Sequence, residues 1–290
     1  MKEQHSDNSL SGKTALITGG CSGMGLATAR RFLAAGASVV IADIQDDKGR
    51  SLATAMGKSA SFVRCDVLRE DDIAAAIRHA VEHFGGLDIL FNNAGAVGDP
   101  GGVEGMSIDG WDKTIALLLR SAMLGIKHAI PAMHSRGGAS IINNASVAGL
   151  RPDMASLAYS VAKAGAIQLP RMTAGELAKD NIRVNCVCPG FIVTSIFGDL
   201  LAEERTVGDA MLDHLKDPFS GLQPMKRAGM PEGVAEACLY LATASSRFVT
   251  GTEIVIDGGL LVEPRLTVDP NSGHGFVDIL MGARDAARAQ

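Results

Sequence analysis

Aromatic side chains are scarce in this 290-residue chain: one Trp, two Tyr and nine Phe amount to 4% of it. So few rings argue against a ring-rich sandwich core and for tightly packed aliphatic strands and helices, which 34 glycines help to bring close. Runs of Lys and Arg are missing too, and the formal charge is −5, so no positive face is offered to nucleic acid or an anionic membrane. No stretch reaches the ~18 uninterrupted apolar residues of a membrane span. The opening residues, MKEQHSDNSLSG, hold no apolar signal core, and the expectation is a frayed leader over residues 1–11 before a cytoplasmic domain. The five cysteines (Cys21, Cys65, Cys186, Cys188, Cys238) are odd in number and scattered, which suits reduced thiols. Cys186 and Cys188 are expected on opposite faces of a strand, which speaks against a shared metal, and no metal site is expected.

What is present is alternation. Short aliphatic runs occur at 14–18, 39–43, 61–64, 88–92, 140–144, 183–187 and 253–257. Most are apolar throughout, the pattern of strands covered on both faces. Helix-length stretches separate them at 24–36, 46–56, 70–84, 108–134, 156–180 and 231–243. About seven strands flanked by helices predict a single-domain, doubly wound parallel β-sheet over residues 12–262. Residues 191–228 interrupt the rhythm with LLAEE and AMLDHL, candidates for one or two small helices in a substrate-side loop. Residues 263–290 form an extension with a short helix expected from Phe276 onward.

The first strand runs into TGGCSGMG, residues 18–25. Gly19, Gly23 and Gly25 permit a tight turn and close approach of a pyrophosphate, whose charge a helix N-terminus favours. Cys21, Ser22 and Met24 line the same loop. No Gly-Lys-Ser or Gly-Lys-Thr follows, which disfavours a triphosphatase loop. The second strand ends at Asp43, eighteen residues past Gly25, followed by Ile44. A carboxylate there accepts from ribose 2′ and 3′ hydroxyls and repels a 2′-phosphate, so NAD is expected over NADP.

YSVAK, residues 159–163, places Tyr159 and Lys163 on one helical face. In this company the chain resembles the short-chain dehydrogenase/reductase family over about residues 10–262. The resemblance rests on TGGCSGMG, Asp66-Val67, NNAG at 92–95, Ser146, YSVAK, PGFIVT at 189–194, RAGMPEGVA at 227–235 and VTGTEIVIDGG at 249–259. It implies that Asp66 and Val67 lie against adenine, and that Asn93, Ala94 and Gly95 support the central strand and the cofactor ribose. It further implies that Pro189 and Gly190 end a strand, and that backbone near Ile192 with the Thr194 hydroxyl holds the nicotinamide carboxamide. A homo-oligomer, usually a tetramer, is implied as well.

The chemistry suits these residues. A free phenol, pKa ~10, is a poor base near neutrality. The Lys163 ammonium and an oxidised nicotinamide favour the phenolate, so Tyr159 takes the alcohol proton while hydride leaves carbon, and Ser146 donates to the substrate oxygen. One family member is absent: counting from Trp111, Leu118 stands where the resemblance calls for a water-anchoring asparagine, leaving a main-chain carbonyl or Ser121 to serve instead. Asp99, Pro100, Arg151 and Met154 are candidate pocket residues, while His128, His134, His79 and His83 are read as non-catalytic. The expectation is an NAD-dependent alcohol/ketone oxidoreductase. Phe191, Ile196, Phe197, Leu200 and Leu201 suggest an apolar, ring-bearing or aliphatic substrate such as a steroid, terpenoid, aromatic alcohol or dihydrodiol. Leu118 alone motivates the alternative of an NAD-binding regulatory protein with little turnover.

Overall fold

The computed structural model describes residues 9–201, 205–262 and 276–288. Seven parallel strands form one sheet in the order 3-2-1-4-5-6-7: β1 (Thr14–Thr18), β2 (Ser38–Asp43), β3 (Ala60–Arg64), β4 (Ile89–Asn92), β5 (Ala139–Asn144), β6 (Ile182–Pro189) and β7 (Glu253–Ile256). The strand order reverses beside β1, so the C-terminal ends of β1 and β4 frame the crevice where open sheets of this kind take ligands. Because side chains alternate along a strand, apolar runs supply two cores at once. Leu16, Val40, Leu90, Ile141 and Val184 face one layer. Ile17, Ile41, Phe91, Ile142 and Val187 face the other.

The first of these layers is covered by α3 (Glu70–Phe84), α5 (Ser121–Met133) and α6 (Leu157–Leu177). The second is covered by α1 (Gly23–Ala34) and α10 (Pro231–Ala242). Local chemistry marks the helix ends. Three acidic residues occupy the first turn of α3, favoured by the helix dipole, and Gly85 ends it in the left-handed region at φ 80°. Pro231 opens α10, where a missing N–H costs nothing. The remaining elements are α2 (Asp46–Met56), α4 (Ile108–Ile115), α7 (Ile196–Asp199), α8 (Arg205–Ala210), α9 (Leu212–Ser220) and α11 (Phe276–Arg288).

Several expectations needed adjustment. Leu10 is buried and its N–H donates to the Ala35 carbonyl, so the packed body reaches into the stretch read as leader, whose residues 1–8 lie outside the described residues. Cys186 and Cys188 do not face opposite ways. Residues i and i+2 of a strand share a face, and both cysteines belong to one buried cluster with Ala145 and with Ala166 and Ile167 of α6. All five cysteines are buried, and among the described residues no group of His, Cys, Asp or Glu is arranged to hold a metal ion.

The long helix over 108–134 is not one uniform α-helix. A π-helical turn, Ala116–Arg120, separates α4 from α5, and the Ser121 N–H donates to Ala116 five residues back. The helical stretch Ile108–Arg136, mean hydropathy 1.3, is long and apolar enough to cross a membrane by length and composition. Here its buried residues pack onto the sheet.

Candidate active site

The glycine loop closes on itself so tightly that only hydrogen fits. A Cβ on Gly25 would sit 2.2 Å from the Gly19 carbonyl oxygen, and Gly19 itself takes φ 63° with the Ala94 Cα 2.9 Å from its own would-be Cβ. The loop leads into the start of α1, whose first N–H groups have no partner within the helix, the kind of helix end that favours a pyrophosphate. Asp43, at the tip of β2, is buried and anchors the loop. It accepts from the Cys21 N–H at 3.0 Å and from the Gln45 N–H at 3.1 Å. Ile44 beside it is exposed. Past β3, Asp66 accepts from the Leu68 N–H at 3.0 Å and shapes the turn that carries Val67. The glycine cradle and the carboxylate at its rim fit a dinucleotide.

A hydrogen-bonded chain connects this cradle to the Tyr-Lys pair. The Asn93 amide donates to the carbonyls of Thr18 (2.9 Å) and Gly19 (3.2 Å). The Asn144 amide donates to Asn93 Oδ1 at 3.0 Å, and Lys163 Nζ donates to the Asn144 carbonyl at 2.6 Å. Thr18 Oγ1 accepts from the N–H groups of Asn93 and Ala94, fixing the turn after β4. Sequence reasoning named Asn93, Ala94 and Gly95 but missed Thr18 and Asn144. A polar pair, Asn143-Asn144, at the end of an otherwise apolar strand was the available signal.

Ser146, two residues past β5, lies beside the Tyr159 phenol, and its Oγ accepts from the Ala148 N–H at 3.1 Å. Lys163 lies one turn along α6, with Nζ 5.5 Å from the centre of the Tyr159 ring. Burial pushes the Tyr159 phenol above its ordinary value, and the Ser146 hydroxyl beside it opposes that rise. Burial also draws the Lys163 ammonium down from 10.5 to about 8, opposed weakly by Cys188 and Cys186. The rise at Tyr159 belongs to the protein alone; the lowering expected from Lys163 together with an oxidised nicotinamide concerns the cofactor-bound site.

At the end of β6, the Gly190 N–H donates to the Ile256 carbonyl just past Pro189. Val193 N–H donates to the Gly229 carbonyl at 2.8 Å, and Ile192 bridges to Gly229. Thr194 is buried, and its methyl lies 3.1 Å from the would-be Cβ of Gly23, so this segment leans directly on the glycine loop.

Leu118 is buried in the π-helical turn, its Cδ2 3.0 Å from the would-be Cβ of Gly95. Ser121 does not reach outward in its place, because its hydroxyl donates to the Leu117 carbonyl. Leu118, Ser121, Asn143 and Asn144 line a small cavity, with about 10 Å³ open to the centre of a water molecule. That is close to the minimum for one water, and the buried Asn143 Nδ2 and Asn144 Oδ1 carry no protein hydrogen bond.

Among the candidate pocket residues, the Asp99 N–H donates to Thr114 Oγ1 and its carboxylate accepts from the Gly101 N–H. Arg151 donates to the Leu260 carbonyl at 3.3 Å. The histidines are occupied elsewhere. His128 pairs with Glu70 at 2.8 Å, and His79 meets Ser61 at 2.6 Å while stacking on His83.

Comparison with known proteins accords with this geometry. The family described as Enoyl-(Acyl carrier protein) reductase matches residues 19–261. Momilactone A synthase of Oryza sativa subsp. japonica is 38% identical over 92% of this chain and 94% of its own. Tropinone reductase-like 1 of Erythroxylum coca is 39% identical over 89% and 93%. The 2,5-dichloro-2,5-cyclohexadiene-1,4-diol dehydrogenase LinX of Sphingobium indicum is 38% identical over 87% and 97%. The chain belongs to the short-chain dehydrogenase/reductase family. As a short-chain dehydrogenase/reductase it is an oxidoreductase of alcohols and ketones, in a family that uses nicotinamide cofactors.

Proposed function

We propose that this short-chain dehydrogenase/reductase uses NAD to interconvert a secondary alcohol and a ketone on an apolar, ring-bearing small molecule. The observation that carries the reading is the unbroken chain of hydrogen bonds from the glycine loop through Asn93 and Asn144 to Lys163, with the Tyr159 ring beside its Nζ. NAD supplies the hydride acceptor when bound. Gly19, Cys21, Ser22, Gly23, Met24 and Gly25 would cradle its pyrophosphate, and Asp43 with Ile44 its adenosine ribose. Asp66 and Val67 would flank adenine, and Pro189, Gly190, Ile192 and Thr194 would border the nicotinamide. The preference for NAD over NADP rests on the buried Asp43 carboxylate, whose charge opposes a 2′-phosphate.

Tyr159 removes the hydroxyl proton in oxidation and returns it in reduction. Its buried phenol resists ionising, so positive charge at the site is required to bring its proton affinity toward neutrality. Lys163 carries one such charge on the same helical face. Ser146, beside the phenol, is placed to donate to the substrate oxygen as charge builds there. Support for a ring-bearing substrate comes from the apolar segment holding Phe191 and Phe197, and from relatives named for tropinone and a cyclohexadienediol. A homotetramer is proposed on the family resemblance.

The test is nicotinamide reduction with NAD and NADP against cyclic, steroidal and aromatic secondary alcohols. Turnover with NAD is expected, and Tyr159→Phe should lose at least about a hundredfold in kcat while binding NAD as the wild type does. A Tyr159→Phe protein that turns over normally would overturn the assignment.

A further inference from the structure

The segment after β6 carries a core of its own, separate from the two that sandwich the sheet. Val193, Met211, Leu215 and Phe219 are buried in it, together with Leu280 and Ala283 of α11. Phe219 meets the Phe191 ring edge-on at 5.9 Å and the Phe197 ring at 4.9 Å. On α11 the contributing residues are Ile279, Leu280, Ala283 and Ala287, a single stripe at helical spacing. Helices as short as α8 and α9, six and nine residues, are not stable alone, so their order depends on what they bury. Two of the six fully buried side chains of this small core come from the far end of the chain.

The unit is placed to cover the crevice. Its chain enters and leaves where Val193 pairs with Gly229, next to Thr194 on the glycine loop. Lys48 Nζ of α2, just past Asp43, lies 3.5 Å from Asp209 Oδ2 of α8, so the unit reaches across to the adenosine side. That exposed pair is a weak tie. The apolar packing must then hold the cover in place.

We infer that α11 is the backing of the substrate lid, and that Leu280 and Ala283 are specificity-determining positioning residues. Through Phe219 they hold Phe191 and Phe197, and so set how firmly the apolar end of the crevice closes on a ring. They touch neither the reacting atoms nor the cofactor. This deepens the alcohol/ketone reading and rests on it for the substrate arm of its test.

The test uses full-length wild type, Leu280→Ala, and Val277→Ala, the last altering a residue on the exposed side of the same helix. Hydrogen exchange across Leu212–Ser220 should quicken about tenfold or more in Leu280→Ala, with strand amides of β1, β4 and β5 unchanged. The KM for a fused-ring secondary alcohol should rise about fivefold or more, that for propan-2-ol less than about twofold, with NAD affinity unaltered. Val277→Ala should match wild type in every measurement. Unchanged exchange over α9 would overturn the packing role, and an equal loss for small and ringed alcohols would overturn the specificity role. A wild type that turns over no alcohol would remove the functional reading, while the exchange comparison would still decide whether α11 backs the lid.

Discussion

Lys163 makes the active site a measurable load on the fold. Its ammonium is buried, 4% exposed, and donates to the Asn144 carbonyl at 2.6 Å, and burial draws its pKa from 10.5 to about 8. A cation with a depressed folded-state pKa binds its proton more weakly in the native than in the unfolded chain. Between about pH 8 and 10.5 the unfolded state therefore holds more protons, and stability gains from this residue as pH rises. The gap, at about 1.4 kcal/mol for each tenfold change in proton affinity, sets a ceiling of roughly 3 kcal/mol.

The cysteines work the other way. Burial raises Cys65 and Cys238 to about 12, and a hydrogen bond with Cys188, then burial, raises Cys186. Above pH ~9 the unfolded chain sheds thiol protons that the native state keeps, which lowers stability. Wild type alone would blur the two effects, so the comparison is urea unfolding of wild type and Lys163→Met from pH 7 to 10.5. The stability of wild type relative to Lys163→Met should climb by up to roughly 3 kcal/mol over that range. Parallel pH profiles for the two proteins would refute the claim that Lys163 is buried as a strained cation.

Asp43→Asn should keep an acceptor for the Cys21 N–H while removing the charge that opposes a 2′-phosphate. The ratio of kcat/KM for NADP over NAD should then rise about tenfold or more, and an unchanged ratio would remove Asp43 from cofactor choice. Leu118→Asn places an amide where a leucine is packed against Gly95, which should cost about 2–4 kcal/mol and lower Tm by several degrees without raising turnover. A gain in turnover would mean instead that Leu118 holds back the proton route.

Strands and helices were legible because buried parallel strands are written as continuous aliphatic runs, and helix ends as acids, glycine or proline. Thr14–Thr18, Asp46–Met56 and Glu70–Phe84 coincide with their predicted limits. The glycine loop was legible for the same local reason: its backbone leaves no room for a Cβ. The interior of the long helix was not, since a π-helical turn at Ala116–Arg120 is a choice among hydrogen-bond registers that ALLLR does not announce. Nor was the company Lys163 keeps. Its spacing from Tyr159 is local, but whether Nζ meets the ring, the cofactor or the Asn144 carbonyl depends on how α6 docks against β5.

By itself, then, the sequence determined the order of elements, the cradle, the carboxylate beside it and the Ser-Tyr-Lys set. Each of these is read from a short stretch of its own, where strand and helix periodicity dictates which side chains share a face. Tertiary structure alone decided the contacts that close long loops. Asn144 joins Asn93 to Lys163 only because β4 and β5 lie side by side, and Leu280 backs Phe219 only because α11 folds over the segment between β6 and α10. Such contacts come from packing of apolar surface contributed by distant parts of the chain. No short stretch of residues carries a periodicity that names its partner.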